Sequence, residues 1–123
     1  MTKAIAEPIN SENLCNVVTQ GMTEKKASDI VVMDLRKVKH AVADYFILCS
    51  GTSDTQIEAI ADSVEELVFK STKQKPWKKE GRTNKEWILI DYVDVVAHVF
   101  SKEKRSFYSL EELWGDAQIT PLV

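Results

Sequence analysis

Few residues of this chain have the types and spacing that chemistry requires. A small-residue turn, Ser50-Gly51-Thr52-Ser53, leads from an apolar run into a helical pattern, and such a turn ahead of a helix can hold phosphate on free backbone N–H groups. It matches neither a P-loop nor GxGxxG. A nucleotidyltransferase would also need closely placed carboxylates to hold magnesium against a triphosphate. Asp91 and Asp94 are the candidates, yet they flank a turn instead of alternating on one strand face, and solvated turn acids are the commoner case. His40 lies in a polar connector and His98 inside an apolar run. A strand histidine without a nucleophile or an orienting group reads as a hydrogen-bonded packing residue, not a general base. Cys15 and Cys49 sit in apolar stretches without CxxC spacing, which suits reduced thiols packing as small hydrophobes and neither a disulfide nor a zinc pair. No catalytic residue, metal site or cofactor is expected.

The remaining signals are those of binding. Between residues 73 and 85, six basic residues stand against one acid, with Pro76 and Gly81 as breakers around Trp77. Such a loop, with room for a short edge strand, could touch RNA by phosphate contact and stacking. A solvated loop whose aromatic lies over the core edge is the favoured reading. Trp87, Tyr92, Phe100, Phe107, Tyr108 and Trp114 crowd the C-terminal half. That is more than the helices on a small sheet cover, so some should lie at a surface, where Trp, Tyr and Arg anchor protein partners. Phe100 and Phe107 are assigned to the core, while Trp87 and Tyr92 stand evenly between core and surface.

The elements that position these residues follow from composition and periodicity. A chain of 123 residues with 44% hydrophobic and 28% charged residues suits one globular domain. A net charge of −3 excludes general polyanion binding by a basic body. No apolar run approaches the roughly 20 residues that span a bilayer. The N-terminus lacks a signal-peptide pattern, so a cytoplasmic location is expected. Residues 1–9 read as a flexible lead-in, after which Asn10 or Ser11 caps a helix over 11–24, with Gly21 where a neighbour approaches closely. Runs at 29–34 and 44–50 read as strands too apolar to be half exposed, hence covered on both faces in an α/β layering. The stripe Ile57, Ile60, Ala61, Val64, Leu67 and Val68 predicts a helix over 54–71. Runs at 86–91 and 94–100, separated by Tyr92-Val93, predict a tight antiparallel hairpin, and 103–114 a short C-terminal helix before Gly115. The sum is a mixed sheet of four or five strands with about three helices, in one domain over 10–117 with a tail at 118–123.

The ordered set Ala27-Ser-Asp-Ile30, Ala43-Asp-Tyr-Phe46, Ser50-Gly-Thr-Ser53 with Gln56, Glu80-Gly81, Trp87-Ile-Leu-Ile-Asp91-Tyr92, Asp94-Val-Val-Ala-His98-Val-Phe100 and Arg105-Ser-Phe-Tyr108-Ser-Leu-Glu111-Glu-Leu-Trp114-Gly-Asp116 resembles the ribosomal silencing factor family RsfS, also called Iojap. The resemblance runs from about residue 12 to 117, and the order and spacing of its motifs are highly specific. It implies an α/β domain related to nucleotidyltransferases without their catalytic set. It further implies binding to the large ribosomal subunit through large-subunit ribosomal protein fourteen, which blocks joining of the small and large subunits and represses translation under nutrient limitation. The partner surface it implies falls on Trp87, Leu89, Asp91, Tyr92, Asp94 and His98, and further on Arg105, Tyr108 and Trp114. Ribosomal RNA contact through the loop 73–85 and a homodimer of the free protein complete the expected partners. An active small nucleotidyltransferase is the alternative. The chain departs from the family at one turn, carrying Val93 where Asp-Tyr-Gly-Asp is usual, and a β-branched residue disfavours positive φ.

Overall fold

Both long helices start where a short polar side chain takes up an orphan amide. In the computed structural model, which describes residues 9–105 and 117–122, Asn10 accepts from the N–H of Asn13 at 2.7 Å and opens α1 (Ser11–Glu24). Ser53 accepts from the N–H of Gln56 at 3.1 Å and opens α2 (Asp54–Thr72). The two helices pack against each other at Gly21, where a Cβ would fall 2.9 Å from the Val64 Cα, and Ser63 Oγ donates to the Gly21 carbonyl at 2.8 Å. The expected close approach at Gly21 is thus the helix–helix contact itself.

Six strands form one sheet: β1 (Ser28–Asp34), β2 (Tyr45–Gly51), β3 (Lys78–Glu80), β4 (Trp87–Asp91), β5 (Val95–Ser101) and β6 (Gln118–Pro121), in the order β3-β4-β5-β2-β1-β6. The central pair β2–β5 is parallel, Tyr45 against Val95 through Gly51 against Ser101, and the other pairings are antiparallel. The expected count of four or five strands is one short. The missed strand is β6, whose four residues are all exposed and which pairs with β1 within the segment read as a tail. An exposed edge strand needs no apolar alternation, so nothing in its composition announced it. Two helices are present among the described residues. The third, expected over 103–114, lies almost wholly outside them.

Register divides the side chains between two faces. Tyr45, Ile47, Cys49, Ile88, Ile90, Tyr92, Val95, Ala97 and Val99 meet Leu14, Val18, Met22, Ile57, Ile60 and Val64 of the helices in the larger core. On the other face, Met33, Phe46, Leu48, Val96 and Phe100 pack with Leu35, Ala43 and the partly buried Val38 and Ala41 of the β1–β2 connector. Both helices therefore share one face, and an irregular connector lies over the other. β2 is buried throughout, as expected, but β1 is not: Val31 and Val32 are only half-buried, because β6 alone lies beyond them.

Cys15 and Cys49 are buried free thiols. Desolvation raises Cys15 to about 11 and Cys49 to about 12, so both stay protonated and inert. Among the described residues, no helix is long and apolar enough to cross a membrane, and no three His, Cys, Asp or Glu side chains converge as a metal site.

Candidate interaction surface

The hairpin β4–β5 pairs Trp87 with Phe100, Leu89 with His98 and Asp91 with Val96. These six side chains consequently share the face that the helices leave. His98 is 2% exposed, and its Nδ1 accepts from the Trp87 indole N–H at 2.9 Å. That bond places the histidine proton on Nε2, which is buried and has no partner of its own. Burial holds the ring neutral, with its pKa down from 6.5 to about 3. Phe46 meets the His98 ring edge-on at 4.7 Å, and Phe100 stacks on Trp87 at 5.3 Å. The result is an aromatic cluster that fixes one tryptophan in one orientation while leaving it half-buried, alongside the half-buried Leu89 and Asp91.

The reading of His98 as a hydrogen-bonded packing residue agrees with this geometry. As a partner-binding residue, however, it can act only from behind Trp87. Tyr92 is 6% exposed and points into the helix-side core, opposite to Trp87, with its hydroxyl unpartnered and its ionisation pushed up by burial. The even choice for Tyr92 therefore resolves to core, since two successive strand positions cannot share a face. Asp94 is exposed, and its carbonyl accepts from the N–H groups of Asp44 and Tyr45, tying the turn to the start of β2. Arg105 donates to the Asp29 carbonyl and, at 3.1 Å, to Ser50 Oγ, so its guanidinium clamps the irregular start of β1, where Asp29 has φ 53°. Tyr108, Trp114 and Phe107 lie outside the described residues.

Val93 keeps the backbone that glycine favours, at φ 77°. The Asp94 N–H reaches the Tyr92 carbonyl at 3.0 Å around it, and the Val93 N–H donates to Asp91 Oδ1 at 2.7 Å. This is the uncommon γ-turn with positive φ, held closed by the Tyr92 N–H on Val95 at 2.9 Å and by the Asp91 side chain. The positive φ that a β-branched residue disfavours is thus kept at Val93.

The other sequence candidates separate. At the Ser50–Ser53 turn, the Thr52 N–H donates to Gln56 Oε1 at 2.7 Å and the Gln56 N–H to Ser53 Oγ, while Gln56 Nε2 donates to the carbonyls of Lys25 and Lys26. Two amides of the turn, those of Thr52 and Gln56, are thus engaged within it, and the Gln56 side chain staples the end of α1 to the start of α2. In the basic loop, Arg82 pairs with Asp62 and Glu65, Lys79 with Glu65, Lys85 with Glu58 and Lys78 with Glu80. Three of the loop's six basic residues are thus matched by carboxylates of α2, which no local count of charges could show. Lys73 and Lys75 instead lie over the Phe69 ring. Trp77 is 72% exposed and does not cover the core edge as expected.

The family model described as "Ribosomal silencing factor during starvation" matches residues 8–122. A Bacillus subtilis protein named ribosomal silencing factor RsfS is 39% identical over 114 residues, covering 93% of this chain and 95% of that protein. A mouse protein named for mitochondrial assembly of the ribosomal large subunit is 28% identical over 112 residues, 89% of this chain and 48% of that one. A crystal structure of a Chromobacterium violaceum protein superposes with a TM-score of 0.81 at 27% identity, covering 94% of each chain. Matched along nearly its whole length in sequence and in fold, the chain belongs to the family of ribosomal silencing factors, whose members are named for a regulatory role and not for an enzymatic one.

Proposed function

We propose that this protein binds the large ribosomal subunit through large-subunit ribosomal protein fourteen, blocks joining of the small subunit by steric occlusion and so represses translation under nutrient limitation, acting in the cytoplasm. Family membership supports the ribosomal setting, and the mouse relative's name sets that protein beside the large subunit. The observation that carries the reading is the half-buried Trp87, pinned by His98 at 2.9 Å on the sheet face free of helices. A tryptophan already held in one orientation loses little rotamer freedom on binding, which favours it as an anchor. Trp87, Leu89, Asp91 and Asp94 make direct contact. His98 supports the strip from behind Trp87, Tyr92 holds the end of β4 from the helix-side core and Arg105 braces its flank. Tyr108 and Trp114 are further contacts that the family resemblance implies.

Ribosomal RNA contact through the loop 73–85 falls to Lys73 and Lys75, which among the described residues pair with no carboxylate. We propose also that the free protein forms a homodimer. Co-sedimentation with separated subunits tests the reading: the protein is expected with large subunits alone, and to suppress joined ribosomes at saturation. Equal recovery with small subunits, or unaffected joining, overturns it. Magnesium-dependent nucleotide binding would instead favour the nucleotidyltransferase alternative.

A further inference from the structure

Among the described residues, the three most exposed of the large apolar side chains meet at one end of the sheet. Val42 is 73% exposed, Trp77 72% and Val93 55%, and with Asp91 and Val96 they line an open cleft of about 430 Å³. The three come from three separate segments: the β1–β2 connector, the approach to β3 and the β4–β5 turn. Trp77 is tied there by its N–H on the Asp91 carbonyl at 2.8 Å. Val93 reaches the cleft only because the turn accepts a β-branched residue at positive φ, a placement that costs backbone energy and gains no burial for the side chain. The cleft continues the strip of Trp87, Leu89 and Asp91, since Asp91 and its register partner Val96 belong to both.

Charge says what fits. Asp91 borders the cleft, and Asp94 follows Val93 in the turn with Asp44 bonded to its carbonyl. Among the described residues none of these three carboxylates has an ion pair, whereas Asp62, Glu65 and Glu58 on α2 are all matched by Arg82, Lys79 and Lys85. Unmatched carboxylates beside an apolar cleft are complementary to a cation next to an apolar group. We infer that the cleft of Val42, Trp77, Val93 and Val96 receives an apolar side chain from a large-subunit protein segment, with an adjacent Lys or Arg of that segment on Asp91 and Asp94. This inference rests on the large subunit being the partner.

The test is binding of full-length variants to purified large subunits. Trp77→Ala is expected to weaken binding about tenfold to thirtyfold, in the range of an exposed aromatic hot spot. Val93→Gly is expected to weaken binding severalfold while raising thermal stability, a pairing that a merely structural role does not produce. Asp94→Lys should weaken binding more at low salt than at high salt. The inference is overturned if Trp77→Ala and Val93→Gly both bind within twofold of the parent. It falls equally if Asp94→Lys tightens binding, which would mark a nucleic-acid occupant, or if the variants change only self-association, which would mark a second copy. Loss of binding in Trp87→Ala with normal binding in the cleft variants sinks this inference and spares the function proposed above. A parent protein that fails to bind large subunits sinks both.

Discussion

On the helix-covered face, β2 and β5 contribute Tyr45, Ile47, Cys49, Val95, Ala97 and Val99, while on the opposite face the same strands contribute Phe46, Leu48, Val96, His98 and Phe100. The first set packs under two regular helices, which themselves meet as closely as Gly21 on Val64. The second set, with Trp87, makes the ring contacts of Phe46, His98 and Phe100 around a buried histidine, under an irregular connector. A cohesive aliphatic layer provides stability without demanding particular polar partners. The aromatic layer spends stability on direction: a buried imidazole with one unpartnered N–H is worth keeping where it fixes the ring of Trp87. On the proposed function, stability belongs to one face and recognition to the other, and each half of that division can be broken separately.

The largest effect should come from the helix side. Ile60→Ala, at a fully buried position of α2, should cost about 3–4 kcal/mol of stability by cavity formation, read by urea denaturation. At temperatures where the variant stays folded, its affinity for large subunits should be unchanged, and a specific loss of binding would erase the division. Next in size, Trp87→Ala should lose about thirtyfold in subunit affinity, roughly 2 kcal/mol, while keeping most of its thermal stability. Unfolding on the scale of about 3–5 kcal/mol would instead mark Trp87 as ordinary core. Asp94→Ala should weaken binding less, as rim charges do.

Acid sharpens the contrast. His98 is neutral in the folded chain down to about pH 3, whereas its unfolded form takes a proton near the ordinary 6.5. Between those values the unfolded state binds the extra proton. Its contribution to stability is therefore intact above about pH 6.5 and lost as pH falls, by at most about 1.4 kcal/mol per pH unit. His98→Phe should flatten that slope whatever it does to the stability level, and an unaltered slope between pH 6.5 and 5 would remove His98 as its source. The smallest effect has the opposite sign: Val93→Gly should raise stability by about 1 kcal/mol by relieving positive φ, measurable as a higher midpoint in thermal unfolding.

Much of this was legible in the sequence where the signal is local. Asn10 and Ser53 are capping residues in front of periodic apolar stripes, so α1 and α2 fall at or within one residue of the expected bounds. The hairpin and the shared face of Trp87, Leu89 and Asp91 follow from alternation alone. What escaped was whatever depends on pairing across the chain. The bond from Trp87 to His98 requires the register set by the turn at Val93. The neutralisation of Arg82, Lys79 and Lys85 requires α2 to lie alongside the loop. Trp77 lies at a loop edge where neither periodicity nor composition decides burial, and β6 is an exposed strand whose only cause is the open edge of β1.

The parallel pairing of Tyr45 with Val95 also bears on how the chain comes to be folded. β2 is buried along its whole length, yet its parallel neighbour is synthesised only after α2, the basic loop and β4 have all emerged. Closing that central pair means closing a long loop, which slows folding compared with local hairpins. The hairpin β4–β5 is local and can close as soon as both strands have emerged, but until then β2 has only β1 beside it and one apolar edge open to wrong partners. Truncation anywhere before Ser101 should therefore yield an aggregating chain and not a smaller functional one, and nascent chains of this protein should acquire protease resistance only late in synthesis.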